Sequence, residues 1–212
     1  MSDSNRDAIL TALTAEHSAM QAVIGASVNE QQARASMFLI SVSGALVALG
    51  IVAQTDKFLL FTAAAIPTLY LVGLLTILRL VDVGMESMQS EITIAKIRHY
   101  YRSLGAPADT LFEEPLGRWP EGKLDSGNVI GEILGLLTTA ASMIACVHGF
   151  IGGAGIALLL YHLLQASLGL SVLAGAAFVV AQVVGAYLYQ NWRINRMVDL
   201  ADRRGLIKKF SH

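Results

Sequence analysis

The chain has 212 residues, 54% of them hydrophobic and 15% charged, with a formal net charge of -1 and a mean hydropathy of +0.57. Soluble domains carry roughly 25% charged residues, so the composition is that of a membrane protein rather than a water-soluble one. Near-neutral charge argues against a nucleic-acid partner, and the single cysteine, Cys146, excludes an intrachain disulfide.

The first residues, MSDSNRDAILTALTAEH, lack the basic start, short apolar core and small-residue cleavage site of a signal peptide, so no cleavage is expected. Residues 5–35 read as an amphipathic helix. Ile9, Leu13, Met20 and Ile24 recur at helical spacing, with His17 on the same stripe and Asp3 or Ser4 placed to cap the start. Residues 37–54 form a first span, Gln54 to Lys57 a polar turn, and residues 58–79 a second span with Pro67 near its middle. Proline removes one backbone hydrogen bond and usually kinks a helix.

No breaker follows Arg79. Val81, Met85, Met88, Ile92 and Ala95 continue a helical stripe to about Ser103, so the second span and this segment are expected to form one long helix. Gly105 and Pro107 stop it, and residues 105–128, with three of the four prolines, read as a loop. Residues 134–164 contain the third span, inside an apolar run from Val129 to Leu164. The ionisable carboxylate and imidazoles there are Glu132, His148 and His162. About 20 apolar residues suffice to cross a bilayer. After a turn over 165–171, a fourth span covers 172–192, followed by a basic tail over 193–212.

Lysine and arginine number 2 before the first span, 6 from Arg79 through the central loop and 6 in the tail, against Lys57 alone in the opposite turns. This 14-to-1 bias predicts both termini and the central loop in the cytoplasm. The expected fold is an all-α, polytopic membrane protein with four transmembrane helices and a cytoplasmic helical extension. In that extension Met85, Met88 and Ile92 face Leu13, Met20 and Ile24, because neither stripe can hide its apolar face alone.

A small residue recurs every fourth position on the third span at Ala141, Ala145, Gly149, Gly153 and Ala157, and on the fourth at Ala177, Ala181 and Gly185. Ser41, Gly44, Ala45 and Ala48 give the first span a similar face. Such stripes let helix backbones approach closely, either within one chain or between copies in a homo-oligomer. Ionisable groups at membrane depth are functional candidates. Glu132 can reach interfacial water. His148 and His162 lie 14 residues apart and so project from similar faces about 21 Å apart along a helix. A histidine hydrogen-bonded inside the bundle is the plainer reading, with Gln182 as the expected partner of His148. Thr138, Thr139, Ser142, His148 and Gln182 together form the candidate polar lining of a path through the membrane.

Lys96, Arg98, Tyr100 and Arg102 form a basic-aromatic cluster that either grips a phosphate-bearing ligand or is a solvated helix face. Arg193, Arg196, Arg203, Arg204, Lys208 and Lys209, with Trp192 and Phe210, suit anionic headgroups at about 1 kcal/mol per basic residue. The sequence holds no phosphate-binding glycine loop, no HExxH and no CxxC, so no cofactor, metal or enzymatic activity is expected.

The run from Ala33 to Leu49 (ARASMFLISVSGALVAL), followed by Leu80 through Arg102, resembles a group of uncharacterised bacterial four-span membrane proteins, mostly of actinobacterial type. That resemblance implies a bacterial inner-membrane location and no particular activity. Residues 5–103 are also similar to the transmembrane effectors of cyclic-nucleotide antiphage defence, in which a cytoplasmic helical part senses a signal and the spans damage the membrane. The two spans after residue 130 depart from that pattern. The expected function is a homo-oligomeric membrane protein acting as a regulated pore or channel, with the cytoplasmic helices coupling a signal to the spans. The alternative is a non-conducting scaffold or accessory subunit of a larger membrane complex.

Overall fold

The computed structural model describes residues 3–105, Gly135 and residues 138–203. Among these there are four long helices and no strand: α1 (Asp3–Val52), α2 (Phe58–Arg102), α3 (Ala140–His162) and α4 (Leu168–Arg203). All four are long and apolar enough to cross a membrane. The expected loop beyond Gly105, Glu132, and the tail residues Arg204, Lys208, Lys209 and Phe210 lie outside the described residues.

The N-terminal helix (5–35) and the first span (37–54) expected from the sequence are one continuous helix of 50 residues, α1, within which the division of the chain into two compact units falls between Glu30 and Gln31. No proline or glycine stands between Arg34 and Phe38. What changes there is side-chain polarity, not backbone preference. Hydroxyls along α1 return to their own helix, Ser18 to the Thr14 carbonyl (3.1 Å) and Ser41 to the Met37 carbonyl (2.8 Å). These bonds satisfy the hydroxyls without breaking the ladder. α2 continues through Pro67 and past Arg79 as the sequence predicts and ends at Arg102, and the turn after it closes on Gly105, whose φ of 93° suits glycine. α4 runs on past the predicted end of the fourth span at 192 to Arg203, and the second compact unit ends at Trp192.

Short turns join the helices pairwise. Thr55 closes the first, with its amide and hydroxyl both donating to the Val52 carbonyl (2.9 and 2.8 Å). In the second, Gln165 takes a left-handed conformation (φ 51°) and the Ala166 amide reaches back to the Leu160 carbonyl (3.1 Å). This bond spans the seven residues 160–166 and folds the chain back over the end of α3. The Gln165 side chain steadies it by donating to the His162 carbonyl (3.2 Å).

The chain divides into two compact units. The first comprises residues 1–30, 83–132 and 193–212. Its core is mainly apolar: Val83, Met85, Ile92, Ile94, Ala95 and Ile97 of α2 and Ala201 of α4 are buried, along with Ser27 and Ser90. These α2 residues lie on more than one face of the helix, so the single stripe expected from sequence is too narrow. Met88, Leu13, Met20 and Ile24 are half-buried, and the Thr14 and Tyr101 hydroxyls lie 3.4 Å apart.

The second unit comprises residues 31–82 and 133–192. Its core is small and is built around Phe38, Val42, Ile77, Leu80, Val81, Ile144 and three alanines, Ala141, Ala145 and Ala186. Apart from Val23, Val28 and Leu200, every exposed large hydrophobic side chain of the described residues belongs to this unit, including Ile40, Leu60 and Leu173. In water such a surface would be an aggregation hazard. In hydrocarbon it is the solvent-matched surface of a bundle whose backbone groups are satisfied within helices.

Candidate functional site

Some polar side chains of the second unit lie inside the bundle, and these form two clusters. The first is built on the α3 face that carries the predicted small-residue stripe. Ala141, Ala145, Gly149 and Gly153 are buried and Ala157 half-buried, which brings α3 against its neighbours. A Cβ at Gly153 would stand 2.7 Å from the Gly175 carbonyl oxygen, and one at Gly175 would stand 2.6 Å from the Gly153 carbonyl oxygen. Only a glycine pair allows α3 and α4 to cross this closely.

On the same α3 face His148 is fully buried. Its Nε2 lies 2.8 Å from the Tyr70 backbone carbonyl of α2, and its ring stacks on the Tyr70 ring with centroids 4.1 Å apart. A carbonyl can only accept, so Nε2 carries a hydrogen. Nδ1 is buried without a hydrogen-bond partner among the described residues. Gly73 makes room for this arrangement: a Cβ there would stand 2.5 Å from the imidazole and 2.8 Å from the Phe38 ring.

The expected pairing of His148 with Gln182 does not form. Gln182 instead accepts from the Tyr70 hydroxyl (3.1 Å). Tyr70 thus links three helices, with its carbonyl on His148 of α3 and its hydroxyl on Gln182 of α4.

The second cluster lies at the start of α3. Thr139 caps the helix, its hydroxyl oxygen accepting from the Ser142 amide (3.3 Å). The same hydroxyl donates to Oε1 of Gln190 (3.0 Å), and Gln190 Nε2 donates to the Ser142 hydroxyl (2.9 Å). Gln190 and Ser142 are buried. Thr138 stays outside the cluster, being exposed and donating to the Gly135 carbonyl (3.0 Å).

Four of the five predicted lining residues, Thr139, Ser142, His148 and Gln182, therefore sit inside the bundle and bond to other residues of the same chain. His162 does not share the environment of His148. It is exposed at the end of α3, edge-on to Tyr161 with ring centroids 5.0 Å apart.

The predicted stripe on the fourth span also points elsewhere. Ala177, Ala181 and Gly185 are exposed, and a Cβ at Gly185 would meet nothing within 4 Å. The inward line of α4 is Ser171, Gly175, Gln182, Ala186 and Gln190. Its signal was the two glutamines, since polar side chains in a span face the bundle interior.

Lys96 and Tyr100 share one face of α2 and Arg98 and Arg102 another, because residues four apart on a helix are neighbours and residues two apart are not. Lys96 is exposed, whereas Arg98, Tyr100 and Arg102 are half-buried. Among the described residues no three His, Cys, Asp or Glu side chains gather at one point. Comparison with protein-family models, curated proteins and solved structures finds no match.

Proposed function

We propose that the protein is a non-conducting coupling or scaffold subunit of a multi-pass bacterial inner-membrane complex, with both termini and the first unit on the cytoplasmic side. The carrying observation is that the buried polar side chains of α3 and α4 are engaged with other groups of the same chain. Thr139, Ser142 and Gln190 bond together, as do Tyr70, His148 and Gln182. A conducting path needs a continuous polar or weakly polar lining, and these groups serve instead to join α2, α3 and α4. The 14-to-1 distribution of basic residues supports the orientation. α1, α2 and α4 each carry residues of both units on one uninterrupted helix, which suits a subunit that transmits position between cytoplasm and membrane.

The test is purification in mild detergent followed by reconstitution into planar bilayers. The expected result is a stoichiometric foreign partner and conductance no greater than that of empty bilayers. A self-only oligomer with discrete conductance steps would contradict the proposal.

One observation favours a second reading, a homo-oligomeric pore. Ala177, Ala181 and Gly185 are exposed on α4 and suit close contact with another helix. In that reading the path lies between copies, and conductance should fall when Gly185 is replaced by Leu.

A further inference from the structure

The outer halves of α2 and α3, with Phe178 of α4, enclose an apolar groove of about 740 Å³ within the second unit. This is within the range of roughly 300–1,000 Å³ typical of small-molecule sites. Leu59, Ala63 and Ile66 line one wall, and Gly155 and Leu159 the other. Leu59 and Leu159 are half exposed at its lips, so the groove opens sideways among residues that face hydrocarbon.

Its polar lining is already engaged. The Thr62 hydroxyl donates to the Phe58 carbonyl (2.7 Å) and the Tyr70 hydroxyl to Gln182 (3.1 Å). Pro67, also in the lining, has no amide hydrogen. The remaining ionisable side chain is His162, exposed in the last turn of α3 beside the 163–167 turn. Water has too few partners in such a space, and an empty groove forfeits the dispersion contacts of its walls.

We infer that this groove binds one acyl chain of a membrane phospholipid, with the headgroup at His162. The occupant follows from the surroundings and the chemistry. A molecule entering sideways from the bilayer arrives as hydrocarbon, and the groove offers it hydrocarbon along its length and a hydrogen-bonding ring at its end.

The probe is phosphatidylethanolamine added to the delipidated full chain in detergent, read by native mass spectrometry. Wild type should retain one lipid per chain under conditions that strip the rest. Ala63→Trp fills the groove from an exposed position and should weaken retention at least about tenfold, with the unfolding temperature unchanged. Should Ala63→Trp unfold early, a phosphatidylethanolamine with a photoreactive tail decides the matter on wild type. Adducts should concentrate on 59–67 and 155–163. Equal retention by both proteins, adducts spread evenly to Leu46 and Leu173, or a lipid-free dimer abolished by Ala63→Trp would each overturn the assignment.

Discussion

The two units of this chain use the same side chains in opposite ways. In the first, isoleucine, valine and methionine are inside, as at Val83, Met85 and Ile92. In the second, large apolar side chains crowd the surface, and the interior goes largely to alanine, glycine, serine, glutamine and one histidine. Three of the four helices supply residues to both. The difference is the one expected where water surrounds the first unit and lipid the second, burial then following the solvent of each segment rather than the hydrophobicity of the residue. Where water surrounds the helices, apolar burial drives association. Where lipid does, leucine gains nothing by turning inward, and close backbone approach with interhelical hydrogen bonds takes over.

That contrast can be broken most severely at the α3–α4 crossing. Gly153→Leu places a side chain against the Gly175 backbone and should destabilise the bundle by about 3 kcal/mol or more, read as loss of folded protein in mixed-micelle unfolding. Gly185→Leu, with open space around it, should leave stability within about 0.5 kcal/mol.

A second pair compares one residue type in the two environments. Ile92→Ala, buried in the first unit, should cost about 2–3 kcal/mol. Ile40→Ala, 70% exposed in the second, should cost under about 0.5 kcal/mol. Equal losses would erase the distinction between the units. The smallest effect is expected at Tyr70→Phe, which removes the bond to Gln182. Interhelical hydrogen bonds in membranes average about 0.6 kcal/mol, so unfolding should shift slightly.

Much of the helical frame was legible because length and hydropathy determine spans directly. The continuation of α2 past Arg79 was legible from the absence of any breaker. The join inside α1 was not, because a change from amphipathic to apolar sequence near residue 36 looks like a boundary although the backbone registers none. On α3 the stripe from Ala141 to Gly153 was readable because small residues lie predominantly on that face. On α4 small residues occupy two faces, Gly175 and Ala186 on one and Ala177, Ala181 and Gly185 on the other, so spacing alone does not say which of them packs within the chain. Tyr70 was missed as a site residue because its backbone carbonyl does half the work, and a sequence does not advertise which carbonyl will accept from a side chain 78 positions away.

The most direct measurement is cysteine labelling in intact cells with a membrane-impermeant maleimide, on a Cys146→Ala background. Lys57→Cys should react from outside, Lys96→Cys only once the membrane is opened, and Ile40→Cys in neither state. Reaction of Ile40→Cys at the rate of Lys96→Cys, or of Lys96→Cys in sealed cells, would contradict the proposed division into a lipid-facing unit and a cytoplasmic one.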